Sequence, residues 1–343
     1  MNTETGLIGI SALLLSAWLT GLARRFALTH GVLDVPNERS SHTTATPRGG
    51  GASMVVASSA AWVALTLLGG MRTDLLIALL GGGVAVAAVG FWDDRRAVPA
   101  GVRLAVHAAA ALWALAWIGG PGGLEFGHRI VELGWAGYLL AALGIVWTLN
   151  LFNFMDGIDG IAVSEAVFVA FGGGLLMYVA GTGGGVTAAS LVFGAACCGF
   201  LRWNWPRAKI FMGDVGSGFL GFAVSVMTLS AARDNPVAVW VWLLLGGVFF
   251  VDSTVTLVRR VLRGEPIHVA HRSHAYQWLA RRWGSHKRVT VAAVALNVLW
   301  LLPCALVATL HPSLAFAVLL IALTPLVVLA IAAGAGRAED RTP

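Results

Sequence analysis

Apolar runs of about 18–22 residues recur along the whole chain, each long enough to cross a hydrocarbon core of roughly 30 Å as a helix. They fall at 5–23, 51–70, 74–92, 101–119, 134–152, 160–180, 186–203, 212–232, 237–258, 289–310 and 313–334. The expected fold class is therefore all-α: one polytopic integral membrane domain over 1–343 with about 11 transmembrane helices. Its larger polar loops would be 24–50, 93–100, 203–211 and 259–288. Composition agrees. Of 343 residues, 57% are hydrophobic and 12% charged, whereas soluble domains carry roughly 25% charged residues. A soluble enzyme or a nucleic-acid-binding domain is excluded, and no nucleic-acid partner is expected. Cys197, Cys198 and Cys304 sit in apolar runs and offer no disulfide or zinc spacing. Abundant glycine suits close helix packing in lipid.

Charge sets the orientation. The segment before the first run carries Glu4 and no Lys or Arg, while Arg24 and Arg25 follow it; this reverses a secretory signal. An uncleaved first span with its N-terminus outside is expected. The C-terminus then lies in the cytoplasm, and of 23 Lys and Arg residues only Arg72, Arg129 and Arg233 fall outside, a clear positive-inside bias. The acids follow the same face: Asp34, Glu38, Asp93, Asp94, Asp156, Asp159, Asp214, Asp252 and Glu265 lie at or near cytoplasmic ends. A transporter would instead place ionisable groups at mid-membrane depth, where only Glu165 and Asp252 come close.

Five segments carry the polar chemistry. The first loop, Asp34 to Gly51, holds Glu38, Arg39, His42, Arg48 and the run Gly49-Gly50-Gly51 before a helix. Backbone N–H groups there can face a phosphate, although a solvated basic loop has the same composition. Asp93-Asp94-Arg95-Arg96 ends the third span. Adjacent carboxylates repel unless a cation compensates; magnesium shared with substrate phosphates would do so, as would the two arginines. In Asn150-Leu-Phe-Asn153-Phe-Met-Asp156-Gly157-Ile-Asp159-Gly160, polar side chains recur every three residues. Neighbouring pairs share a helix face, and the glycines allow the backbone to leave the helix and turn both pairs to one pocket. Gly213-Asp214-Val-Gly216-Ser217 opens the eighth span, where Asp214 can hold a cation and free N–H groups can meet phosphate oxygens; a plain N-cap would look the same. The last loop contains His268, His271, Arg272, His274 and Tyr276. No Cys or carboxylate completes a zinc set, so diphosphate or sugar recognition by Arg and His is expected. The stretch Trp278 to Lys287 has the character of an interfacial amphipathic segment.

In this order, from Asp34 to Tyr276, these motifs resemble the polyprenyl-phosphate N-acetylhexosamine-1-phosphate transferases, the superfamily that includes phospho-MurNAc-pentapeptide translocase. The resemblance implies a membrane enzyme that moves a sugar 1-phosphate from a UDP-N-acetylhexosamine donor to undecaprenyl phosphate with Mg2+ (Mn2+ as an alternative), releasing UMP. It implies catalytic roles for Asp93, Asp94, Asp156 and Asp159, and metal binding by Asn153 and Asp214. Arg48, Asn150, Lys209, Ser217, His271, Arg272 and His274 are the candidates for substrate contact. Two motifs depart from the family pattern: Ala97 replaces a third acid, and only His274 remains of a histidine cluster, with Tyr276 and Gln277 in the other places. With Arg103-Leu-Ala-Val-His107, this is similar to the branch that initiates O-antigen or related cell-envelope glycans, whose donors include UDP-N-acetylfucosamine and UDP-N-acetylquinovosamine. The implied location is the bacterial inner membrane, multi-pass and surrounded by lipid, with the active site facing the cytoplasm. A homodimer stays open. The competing readings are a lipid-linked sugar transporter or flippase, and the muramyl-pentapeptide transferase itself.

Overall fold

The computed structural model describes residues 3–35, 44–182, 184–266 and 271–338. Glu38, Arg39, His42, His268 and Arg341 lie outside the described residues.

Each predicted apolar run is helical: α1 (Thr3–His30), α2 (Ala52–Leu67), α3 (Thr73–Asp93), α4 (Ala100–Ile118), α5 (Gly134–Met155), α6 (Ile161–Val179), α7 (Gly184–Asn204) and α8 (Asp214–Asp234) come first. They are followed by α9 (Ala238–Leu245), α10 (Gly247–Leu262), α11 (Ala275–Trp283), α12 (His286–Leu296), a π-turn (Asn297–Leu301), α13 (Leu302–Leu310) and α14 (Ala315–Ala333). Strands are minimal. β1 (Leu33–Asp34) pairs antiparallel with β2 (Thr46–Pro47), and β3 (Leu124–Phe126) with β4 (Arg129–Val131).

The eleven expected runs differ in how they form helices. Among the described residues, 9 helices are long and apolar enough to cross a membrane, the segment from α12 to α13 counting as one. The run at 237–258 is a pair, α9 and α10, bent by 78° at Gly246. The run at 51–70 yields the 16-residue α2, about 24 Å at 1.5 Å per residue. Its chain leaves the helix before Gly69, which has φ 73°.

α8 is the central post. Its small residues (Gly216, Ser217, Gly218, Gly221, Ala223, Ser225) let neighbours approach on every side, and 94% of its apolar window is buried, against 22% for α1. Outer helices turn large apolar side chains such as Leu14, Trp18 and Leu139 outward, as lipid-facing surfaces require. The alternating helices bring two sets of ends together. One carries the starts of α2, α4, α6 and α8 with the C-termini of α1, α3, α5, α7 and α10. The other carries the β3–β4 hairpin, where Phe126 packs on Trp240 and Phe316.

Candidate active site

The polar motifs meet at the end where α8 begins. Gly213 takes φ 76°, and a Cβ there would overlap the Asp94 carboxylate. That carboxylate instead caps α8: it accepts the N–H groups of Asp214 (2.9 Å) and Val215 (3.2 Å). It also pairs with Arg48 Nη2 at 2.8 Å. The expectation of free N–H groups for phosphate at this helix start is therefore corrected, because Asp94 fills that position. The glycine run before α2 is spent similarly. The N–H groups of Gly50 and Gly51 donate to the carbonyls of Phe211 and Met212, both at 2.9 Å. Gly51 lies so close to Gly216 that a Cβ on either would collide with the other's backbone. Burial pushes the Asp94 carboxyl above its ordinary range, against the pull of Arg48 and the two amides.

Asp93, its neighbour in sequence, faces elsewhere. It accepts the Val98 N–H at 2.6 Å and Arg103 Nη1 at 2.5 Å, and its carboxyl lies within hydrogen-bond reach of Asp214. Asp214 Oδ1 accepts from Asn153 Nδ2 at 3.1 Å and Arg48 Nη2 at 3.4 Å, while Arg103 stands 3.9 Å from Oδ2. Asn153 Nδ2 also donates to Ser217 Oγ at 3.1 Å. Asn150 donates back to the Val146 carbonyl and lines, with Asp93, Arg103, His107, Asn153 and Asp214, a cavity of about 50 Å³. On the opposite side of Arg48 a groove of about 380 Å³ opens between α1, α2 and α3.

α5 ends at Met155, and the turn after it sorts its acids. Asp156 is partly buried near the cluster; burial, then the charges of Asp214 and Asp94, push its carboxyl well above the ordinary range despite Arg48. Asp159 lies on the other side of the turn. Its carboxylate accepts the Ala208 N–H at 3.2 Å and sits 3.3 Å from His286 Nδ1, joining α6's approach to the loop after α7 and to α12. Of the four polar residues of this turn, Asn150 and Asn153 line the cavity with Asp214, Asp156 lies close enough to feel the charges of Asp214, Arg48 and Asp94, and Asp159 turns to Ala208 and His286 instead.

The last loop docks on the same turn through α11. Asp252 of α10 accepts the N–H groups of Ala275 (2.9 Å) and Tyr276 (3.0 Å). Tyr276 donates its hydroxyl to the Phe154 carbonyl at 2.9 Å, and His274 stacks on Phe154 at 6.2 Å between ring centroids. His271 stacks on His274 and bonds Ser273 Oγ; the Arg272 carbonyl accepts from Arg281. α11 has apolar and basic faces, as the amphipathic pattern predicts. Lys209 is exposed, 5.7 Å from the Trp203 ring. Arg103 and Asp252 are site-forming residues to which the sequence assigned no role, although Arg103 opens the run to His107 and Asp252 is among the acids of that face. Arg103, in the first turn of the helix that follows the Asp93-Asp94 loop, was the legible signal.

Among the described residues no three His, Cys, Asp or Glu side chains form a ready chelate. Magnesium does not need one, since it binds through one or two carboxylates and completes its shell with water and substrate phosphates. The neighbouring Asp93 and Asp214 carboxyls suit such an ion, because like charges held near one another are stabilised by a proton or a cation between them.

The family model for glycosyl transferase family 4 matches residues 76–232. A probable undecaprenyl-phosphate N-acetylglucosaminyl 1-phosphate transferase of Bacillus subtilis is 31% identical over 290 residues, covering 81% of this chain and 78% of the relative. A decaprenyl-phosphate N-acetylglucosaminephosphotransferase of Mycobacterium tuberculosis is 30% identical over 324 residues, covering 84% and 78%. A phospho-N-acetylmuramoyl-pentapeptide-transferase of Moorella thermoacetica is 36% identical over a shorter stretch of 146 residues, 40% of this chain and 44% of the relative.

Proposed function

Because the chain belongs to glycosyl transferase family 4, among its polyprenyl-phosphate N-acetylhexosamine-1-phosphate transferases, we propose that it transfers an N-acetylhexosamine 1-phosphate from a UDP-sugar to undecaprenyl phosphate, releasing UMP. The P–O bond to UMP breaks as a P–O bond to the acceptor phosphate forms. The observation that carries this reading is the meeting of Asp93, Asp94, Asp214 and Asn153, from α3, α8 and α5, beside Arg48 and Arg103.

The main barrier is bringing two phosphate-bearing anions together. Asp214, with Asp93 and Asn153, would hold a magnesium or manganese ion. When bound, such an ion neutralises donor phosphate oxygens and stabilises the leaving UMP. Arg48 and Arg103 add fixed positive charge where the phosphates must approach. The acceptor is a phosphomonoester with a second pKa near 6, so it is largely ionised at neutral pH and needs no strong base. Asp93, fixed by Arg103 and the Val98 amide, orients the acceptor. Asp94 is a positioning residue that holds the start of α8. His271 and Arg272 would contact the donor, with the buried His274 stacked on His271 as their support. Ser217, Asn150, Lys209 and Asp159 stay as candidates for substrate or supporting roles. The acceptor's tail requires the bilayer and the nucleotide requires water. With the strong excess of Lys and Arg at this end, the site is read as cytoplasmic, in a bacterial inner membrane.

The test offers purified protein UDP-N-acetylglucosamine, UDP-N-acetylfucosamine, UDP-N-acetylquinovosamine and UDP-MurNAc-pentapeptide, each with undecaprenyl phosphate. Product lipid is identified by mass and UMP release is followed with magnesium or chelator. An N-acetylhexosamine-phospho lipid and metal-dependent UMP release are expected, and an O-antigen or related envelope-glycan role follows if a deoxy-sugar donor is preferred. Sugar-lipid movement across vesicles without UMP release would overturn the proposal in favour of a flippase.

A further inference from the structure

One buried ionisable residue is unused by the chemistry above. Glu165 lies inside α6, 2% exposed, and Asn297 opens the π-turn after α12, 0% exposed. Asn297 Nδ2 donates to Glu165 Oε2 at 2.5 Å. Ionisable side chains within a membrane bundle are costly and persist where something needs them.

The nearby backbone supplies the need. α9 ends at Leu245 and α10 starts again at Gly247 after the 78° bend, so the first N–H groups of α10 lose their partners one turn earlier. In lipid an unsatisfied N–H costs several kcal/mol. The Phe249 N–H lies near the Glu165 carboxyl, whose Oε1 makes no hydrogen bond of its own among the described residues. The geometric link to the break runs through the π-turn: Asn297 fixes Oε2, and Leu301 at the end of that turn packs on Gly247 at the start of α10, where a Cβ would meet it at 3.1 Å. The π-turn, whose geometry places one extra residue in a helical turn, is where Asn297 leaves α12.

What α10 carries makes the break consequential. Asp252 lies one turn past Phe249, and it holds the N–H groups of Ala275 and Tyr276. Those residues press His274 and the Tyr276 hydroxyl onto Phe154, next to Asn153 and Asp156. The Phe249 ring packs on Phe152 of the same α5 turn at 5.4 Å.

We propose that Glu165 and Asn297 form a positioning pair: they fix the α9–α10 break, and through it the place at which Asp252 seats the His271–Tyr276 segment beside the active-site turn. The activity readout rests on the transferase reading; the distance readout does not.

The test uses the full chain in nanodiscs, with spin labels on the exposed positions R96C and R282C and the partly exposed thiols Cys198 and Cys304 replaced by alanine. E165L should broaden the label-to-label distance distribution and lower kcat/KM for the UDP-sugar about ten- to a hundredfold, chiefly through KM. E165Q can still accept the Asn297 hydrogen bond on its amide oxygen and should retain the wild-type distance and at least half of the activity. N297L should broaden the distribution to a smaller degree; it carries the test if E165L does not accumulate as folded protein. Folded E165L or N297L with wild-type distances and kinetics overturns the proposal, and so does E165Q as damaged as E165L. Broadened distances in a protein whose wild type releases no UMP would sustain the positioning pair and remove the transferase reading alone.

Discussion

The two ends of the helix bundle each gather acids and arginines, and they settle their charge differently. At the end away from the site, Arg72 pairs with Asp74 and Asp234 (the latter at 3.4 Å), and Arg233 reaches Asp74 at 3.2 Å and the Ile118 carbonyl at 2.9 Å. Two acids meet two arginines, and α3, α4 and α8 are pinned with nothing left over. At the site end, Asp93, Asp94, Asp156 and Asp214 share Arg48 and Arg103. The balanced cluster stabilises the bundle, whereas the acid-rich one is held together by packing and keeps a negative excess that a divalent ion and anionic substrates can use.

The contrast breaks most sharply at Asp214. D214N should lower UMP release about 10²–10³-fold without lowering the melting temperature, since it removes one of several like charges. It should also abolish the stabilisation that magnesium gives the wild type in a thermal-shift assay. A D214N variant with near-normal turnover would mean the two ends do the same work.

G213A comes next. A methyl group at φ 76° against Asp94 must displace either the cap or the helix. Turnover should fall about 10²-fold while the far-end pairs stay intact, and hydrogen exchange should show α8's first turn loosened with its last turn unchanged.

At the balanced end the signs reverse. D74N should leave kcat within about twofold and lower the melting temperature by roughly 2–4 °C, because both arginines lose a partner at a half-exposed site. A large kcat loss would show the two ends to be coupled.

An effect of similar size and opposite sign concerns Asp156. Its carboxyl is raised in the folded state, so the folded protein binds a proton that the unfolded chain releases near pH 4. Stability is then lost as pH rises from the unfolded value through the raised one. D156N should melt about 2–4 °C above the metal-free wild type at pH 7.5, with the gap closing towards pH 5. A constant gap across that range would assign the difference to packing rather than charge.

Much of this was legible in the sequence for a simple reason. Apolar length and charge asymmetry are read directly by the membrane, so every expected helix is present. What escaped was geometry set by partners far away in the chain. The bend at Gly246 is hidden within a run that reads as one apolar span, because the packing around it comes from other helices. The acids at 93 and 94 look equivalent as letters, yet one caps α8 and the other meets Arg103. Likewise the N–H groups of Gly50 and Gly51 could be expected to bind phosphate only until Phe211 and Met212 were seen to occupy them. Asp159 belongs to the motif by spacing and to a different contact by direction.

The backbone contact between Gly51 and Gly216 has a bearing on how such a protein could change its substrate. Two main chains meeting without room for a single methyl group leave natural selection or a mutagenesis library nothing to vary there. New specificity would have to be sought on the α11 side, at 271–277, where side chains rather than bare peptide line the approach.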